Sequence, residues 1–423
     1  MIGRLALRSA WNRRDTLLLT VLSIALSTFL LLSVERLRTD VRESFAQAVS
    51  GTDLVVGART GSVQLMLYAV FRVGSATNNV RMDSIEAIAR HRAVAWVVPL
   101  SLGDSHRGFP VLGTTTGYFE HFRHGDRQPL VLAQGRPFAG TLDGLYEAVI
   151  GAEVARRLGY VPGQRITLTH GSGGSALGQE HADKPFTVVG VLAPTGTAVD
   201  RTVHVSLEAI TAIHLDWAGG APMPGVAIPA EAARKFDLAP KEVTAALVGL
   251  RSRAAVFAVQ RHVAAHEGEP LMAVLPGVAL DELWQAVGVG ERVLQLMGAL
   301  VAAVSLAGLV AVVMAGLNER RRELAVLRAV GAAPRHVLAL LAVEATAVTA
   351  AGAALGTLAA AIAVVAAGPW LQATYGISLQ LADPTEGQGL ALAAILAAGV
   401  LAGLVPGWRA YRLSLADGLS PRS

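Results

Sequence analysis

Residues 318–345 read NERRRELAVLRAVGAAPRHVLALLAVEA. Five arginines, Arg320, Arg321, Arg322, Arg328 and Arg335, crowd the approach to a long apolar run. Within residues 319–330 the apolar side chains Leu324, Leu327 and Val330 recur at helical spacing, so the stretch predicts a short amphipathic helix. Gly331 suits the left-handed position just past a helix end. Pro334 suits the first turn of the helix that follows. A charged helix, a tight break and an apolar helix therefore follow one another.

The rest of the chain explains that apolar helix. The protein has 423 residues, 52% hydrophobic and 16% charged, with a mean hydropathy of +0.47. Soluble domains carry about 25% charged residues, so the deficit points to membrane segments. A spanning helix needs roughly 20 apolar residues. Four stretches qualify: 17–34, 293–317, 337–367 and 390–405. The third exceeds what a bilayer needs, and the fourth is short and alanine-rich. The first follows Arg4, Arg8, Arg13 and Arg14 as a secretory leader would, but it ends in Val34-Glu35-Arg36-Leu37-Arg38. That ending offers no small-residue cleavage site, so an uncleaved anchor is expected.

Arginine placement sets the orientation. Among the short segments that flank the spans, residues 1–16, 318–336 and 406–423 carry arginines and belong in the cytoplasm, while the loop 368–389 carries none. The arginines of the long stretch 35–292 are no objection, because long translocated domains largely escape the charge rule. Both chain ends then lie inside, and the long stretch 35–292 lies outside. The net charge of +4 collects beside the apolar segments and not on a separate basic face, which argues against a nucleic-acid partner. Cysteine is absent, so disulfide frameworks and thiolate metal sites are excluded.

The outer stretch mixes element types. Residues 35–49 and 280–292 read as helices continuous with the first and second spans. Residues 52–56, 94–98, 109–112, 165–169 and 186–192 read as strands, with helical runs at 83–91 and 151–158 between them. Such a mixture, punctuated by Gly and Pro, predicts an α+β domain. The apolar run VQLMLYAVFRV at 63–73 is too short to span and is expected in the core. Ten of the eleven histidines fall in this stretch. His121 with His124, and His262 with His266, have helical ligand spacing, but no HExxH pattern or thiolate accompanies them. They read as exposed or hydrogen-bonded side chains, with a metal-responsive outer domain as the alternative and no ligand assigned. The run GSGGSALG at 171–178 lacks the lysine of a phosphate-binding loop, and no Gly-Lys pair occurs anywhere, so ATP hydrolysis cannot reside in this chain as a Walker motif. Glu344 stands as a carboxylate inside the third span, where such groups are costly and are paired or functional. Gly352 with Gly356, and Gly403 with Gly407, have the spacing that lets helices approach closely.

The stretch 319–332, with Glu344-Ala345 after it, resembles the segment of FtsX/MacB-like ABC transporter permeases (type VII) that reads ERRREIAxLRAxGA followed by LxxEA. The opening Arg4-Leu5-Ala6-Leu7-Arg8-Ser9-Ala10-Trp11, the run FTVVGVLAP at 186–194 and the ending Pro406-Gly407-Trp408-Arg409-Ala410-Tyr411-Arg412-Leu413-Ser414 are also similar to that family. From Ser414 onward the chain departs from the usual ending. The resemblance implies an α-helical membrane protein with four transmembrane helices plus a large α+β periplasmic domain, in the bacterial inner membrane. It implies a permease subunit that couples ATP hydrolysis by a separate ABC ATPase to movements of the periplasmic domain. Glu319, Arg320, Arg321, Arg322, Glu323, Leu324, Leu327, Arg328 and Gly331 would form the coupling helix that docks on the ATPase. The chain itself would bind no cofactor; ATP and Mg would sit on the partner. A second permease copy or a paralogue, membrane lipid, and a periplasmic adaptor, lipoprotein or hydrolase are the implied partners. The implied cargo is a lipidic, lipoprotein or peptide-like substrate for export or extraction. The alternatives are regulation of a periplasmic cell-wall hydrolase and metal-linked envelope transport.

Overall fold

Each of the four apolar stretches folds into a helix longer than the stretch itself. The computed structural model describes residues 14–74, 78–171, 179–218, 221–319, 332–375, 379 and 385–412. Its long helices are Arg14–Gln47, Pro276–Glu319, Pro334–Tyr375 and Glu386–Arg412. All four are long and apolar enough to cross a membrane, with window hydropathies of 2.5, 2.5, 2.1 and 2.1. The short alanine-rich stretch thus equals the third in hydropathy. Only 22% to 33% of each window is buried, and large apolar side chains such as Leu18, Leu22 and Leu26 on the first helix and Leu296, Leu300 and Val304 on the second are exposed. A helix that is apolar on every side belongs in lipid, where its backbone bonds are satisfied internally.

The chain divides into two units: residues 1–40, 287–369 and 379–423 form one, and residues 41–286 with 370–378 form the other. The division falls inside the unbroken helices Arg14–Gln47 and Pro276–Glu319. The helix unit has its own core, in which Ile24, Leu309, Val313, Val337, Leu341, Ala345, Ile395 and Ala402 pack together.

The second unit is built on one mixed sheet. Its strands, in chain order, are β1 (Leu54–Ala58), β2 (Val94–His106), β3 (Phe109–Thr114), β4 (Leu132–Gly135), β5 (Glu147–Ile150), β6 (Arg165–Ile166), β7 (Thr169–His170), β8 (Phe186–Leu192), β9 (Val203–Ser206), β10 (Ala245–Leu250) and β11 (Leu271–Val274). They run in the order β11-β1-β10-β2-β3-β9-β5-β8-β4, with β7 on β2 and β6 on β8. Two pairs are parallel, β8 with β5 and β9 with β3; the others are antiparallel. The stretch read as one strand at 165–169 is two short strands on different neighbours.

Side-chain alternation along the strands feeds two cores. Val55, Leu247 and Val274 face one way, where helix Ser62–Ala69 contributes Leu65, Met66 and Ala69. Leu54, Val56, Ala246 and Val248 face the other, covered by Ile85 and Ile88 of helix Met82–Ala89 and by Val259 and Val263 of helix Val256–Ala264. A sheet buried on both faces reads as unbroken apolar runs, as AALVGL does in β10. A third core, with Ile150, Phe186, Val188, Val203 and Val205, lies under helices Ala152–Leu158 and Leu207–Ile213. Of the apolar run at 63–73, residues 63–69 lie in the core helix Ser62–Ala69, and Val73 at its end is exposed.

Candidate functional site

Of the residues implied to dock a partner, Glu319 ends the second long helix. Arg320, Arg321, Arg322, Glu323, Leu324, Leu327, Arg328 and Gly331 lie outside the described residues. Glu344 is half-buried on the third helix, next to Ala345 of the bundle core.

Gly352 and Gly356 form a seam against the first helix. A Cβ added at Gly352 would meet Ile24 Cβ at 2.7 Å and Val21 O at 3.0 Å; one at Gly356 would meet Ala25 O at 2.5 Å and Thr28 Cβ at 2.6 Å. Only a residue without a side chain admits this approach, the use of small residues at membrane-helix contacts. Gly403 makes a similar contact on the third helix, where an added Cβ would lie 2.7 Å from Ala345 Cβ.

Three serines make a buried polar contact in this unit. Ser305 Oγ shares hydrogen bonds with Ser23 Oγ (2.8 Å) and Ser27 Oγ (2.9 Å), linking the first and second helices. Near the end of the first apolar stretch lies a collar of charge. Arg38 bridges Glu35 at 3.2 Å and Glu291 at 3.1 Å. Gln295 donates to Glu35 at 3.2 Å, and Gln388 donates to the Leu32 carbonyl at 3.2 Å. Arg36 and Asp40 pair at 3.0 Å and are buried. The collar ties the first, second and fourth helices together. The collar was missed in the sequence because Glu291, Gln295 and Gln388 are remote from Glu35 and Arg38; for the serine contact, Ser23 and Ser27 at i and i+4 within an apolar run were the available signal.

In the outer domain the histidine pairs with helical ligand spacing do not converge. His121 stacks on Trp96, His262 lies 4.8 Å from the His91 ring, and His266 bonds Ser84 Oγ at 3.1 Å. His106 bonds the Thr167 carbonyl and Tyr160 hydroxyl, and burial holds its pKa below the usual histidine value. His204 is fully buried, which pushes it down to about 3. His170, His181 and His214, which no sequence motif joins, do come together, around Asp104.

Comparison with known proteins follows the two units. Residues 16–265 match the MacB-like periplasmic core domain, and residues 296–415 match the FtsX-like permease C-terminal family. Among solved structures, the chain is similar to the periplasmic region of MacB from Actinobacillus actinomycetemcomitans, at 11% identity and a TM-score of 0.35, covering 56% of this chain and 95% of that one. It is also similar to the extracellular domain of the noncanonic ABC-type transporter YknZ from Gram-positive bacteria, at 15% identity and a TM-score of 0.30, covering 53% and 98%. No curated protein matches. The first family model alone spans more than half of the chain, and the chain belongs to the FtsX/MacB-like family of ABC transporter permeases.

Proposed function

We propose that this permease transmits work from a separate ABC ATPase in the cytoplasm to its outer domain, and that it does so as a dimer in the bacterial inner membrane with both termini inside. Residues 319–331 grip the ATPase. ATP-driven closure moves the helices, and the outer domain acts on a lipidic, lipoprotein or peptide-like substrate for export or extraction.

The observation that carries this reading is helix continuity. The first and second long helices have 34 and 44 residues, so at 1.5 Å per residue they extend about 51 and 66 Å, against a hydrocarbon core of about 30 Å. Their outer ends are stiffened within the second unit. Phe45 packs on Phe71 and on Trp284, with ring centroids 4.3 and 5.6 Å apart, and the Arg42 guanidinium lies 5.3 Å from the Trp284 ring centroid. A rigid helix that leaves the bilayer without a break is what a lever requires.

The test reverses the charge at the grip. Arg320→Glu, Arg321→Glu and Arg322→Glu together should abolish co-purification of the ATPase in mild detergent while membrane insertion stays intact. An ATPase still captured at the wild-type yield would remove the docking role.

A further inference from the structure

The outer domain brings four ligand-type side chains from four segments to one point. Asp104 on β2 and His170 on β7 are direct cross-strand partners, which places both side chains on one face. His214 follows the last turn of helix Leu207–Ile213. His181 is held by its backbone N–H on the Leu168 carbonyl at 2.8 Å. One ligand atom from each of the four lies within 4.8 Å of every other.

The local hydrogen bonds prepare these groups to ligate. His214 Nδ1 donates to the Ile210 carbonyl at 2.8 Å. That bond fixes the proton on Nδ1 and leaves the Nε2 lone pair facing the cluster, as the outer hydrogen bond of a metal-binding histidine does. His214 Nε2 lies 3.0 Å from His170 Nδ1 and 3.5 Å from Asp104 Oδ1; His170 Nδ1 lies 3.1 Å from the same oxygen. Tetrahedral ligands held at about 2.0–2.1 Å from zinc are about 3.3 Å apart, so three of the four already have the required spacing.

His181 is the independent sign. It is 1% exposed, and neither ring nitrogen has a hydrogen-bond partner. Burying an unsatisfied polar group costs on the order of 1–3 kcal/mol, so a core imidazole with two idle nitrogens calls for a ligand. The Trp217 ring packs 4.3, 5.3 and 5.6 Å from the rings of His181, His170 and His214 and shields them. The neighbouring Lys184 ammonium is offset by Asp216 at 2.9 Å and Asp183 at 2.9 Å.

We propose that Asp104, His170, His181 and His214 form a binding site for one divalent transition-metal ion of the zinc class. Three imidazoles and one carboxylate match the preferences of Zn(II), Cu(II) and Ni(II), and not those of Ca or Mg, which take all-oxygen shells. The ion would clip β2, β7, the segment before β8 and the end of helix Leu207–Ile213 into one block. The site stands apart from ATPase docking, and neither depends on the other.

The test uses full-length protein in detergent, stripped with a chelator and titrated with zinc against a chromogenic competitor. One ion per chain should bind with a Kd below about 1 μM. His181→Ala should weaken binding about 100-fold or more, beyond the losses typical of removing an outer partner, while His262→Ala and His266→Ala leave it unchanged. X-ray absorption at the zinc edge of the wild-type protein should show a four-coordinate ion with three imidazoles, a readout that stands even if His181→Ala fails to fold. No binding tighter than micromolar, binding unaffected by a folded His181→Ala, or an edge dominated by oxygen ligands would each overturn the site, leaving a cluster that shares protons or holds water.

Discussion

In the helix unit a buried hydroxyl such as Ser305 Oγ finds its partners on its own helix, at the Val301 carbonyl, or one helix away. In the outer domain the buried Lys184 ammonium crosses from one segment to another to reach Asp216. The difference follows from the two solvents. Lipid is as apolar as the bundle interior, so burying leucine against leucine gains little there, and close backbone approach at Gly352 and Gly356 must hold the helices together. Water rewards burial, by about 1.5–3 kcal/mol per large apolar side chain. A sheet covered on both faces therefore has stability to spare for costly polar clusters. The bundle is held by close backbone approach, and the domain by burial of apolar side chains.

Removing one partner of the buried ion pair should hurt the domain most. Lys184 is fully buried, and Asp216 is 7% exposed and also accepts the Ile228 N–H. Asp183, the other neighbour, is half-exposed. Burial raises the Asp216 pKa, but Lys184 outweighs it and holds the carboxylate below its usual value. Asp216→Ala leaves the ammonium with Asp183 alone and should cost about 3–5 kcal/mol, whereas Lys184→Met with Asp216→Leu removes both charges and should recover most of that. Urea unfolding of the full chain, followed through tryptophan fluorescence, measures both. If the double variant falls as far as the single one, the pair is not what the domain depends on.

The two regions also differed in how much of them could be read in advance. The bundle's spans were legible because lipid imposes one rule, about twenty consecutive apolar residues per helix. Strand β8 was legible from FTVVGVL, rich in β-branched residues. Strand β10 was not: four of the six residues of AALVGL are Ala or Leu, which favour helices elsewhere, and its place between β1 and β2, with both faces buried, makes it a strand. The proposed metal cluster had no signal at all. His170, His181 and His214 are brought together by strand register and a helix end, while the pairs that looked like ligands, His121 with His124 and His262 with His266, lie apart from it.

A second way to sharpen the contrast is acid, which should loosen the domain through His204. The ring lies inside the sheet, with Nδ1 donating to the Val149 carbonyl at 3.2 Å and Tyr118 and Phe119 around it. Burial, and then the nearby Arg72 charge, depress its pKa to about 3, against about 6.5 in the unfolded chain. The unfolded state binds the extra proton between those values, so the His204 contribution is complete above pH 6.5 and is lost as pH falls toward 3. The loss is about 1.4 kcal/mol per pH unit, or about 2 kcal/mol by pH 5. His204→Leu should flatten the acid limb of the stability profile by that slope; an unchanged limb would mean the ring is not kept neutral.

The smallest effect should come from the bundle's own polar contact, and its smallness is the point. Ser305→Ala removes the hydrogen bonds to Ser23 and Ser27 at once. In water-soluble cores, orphaning a buried hydroxyl costs about 1–3 kcal/mol. Here Ser27 keeps its bond to the Ser23 carbonyl at 2.8 Å, and a loosened membrane helix finds local partners of the same kind. Interhelical hydrogen bonds in lipid average about 0.6 kcal/mol for that reason. A double-mutant cycle with Ser27→Ala, read by unfolding in mixed micelles, should return a coupling of about that size. A coupling above about 2 kcal/mol would mean that hydroxyl contacts and not the glycine seam lock the first helix to its neighbours. Helices locked in that way would resist the relative movement that the proposed mechanical coupling requires.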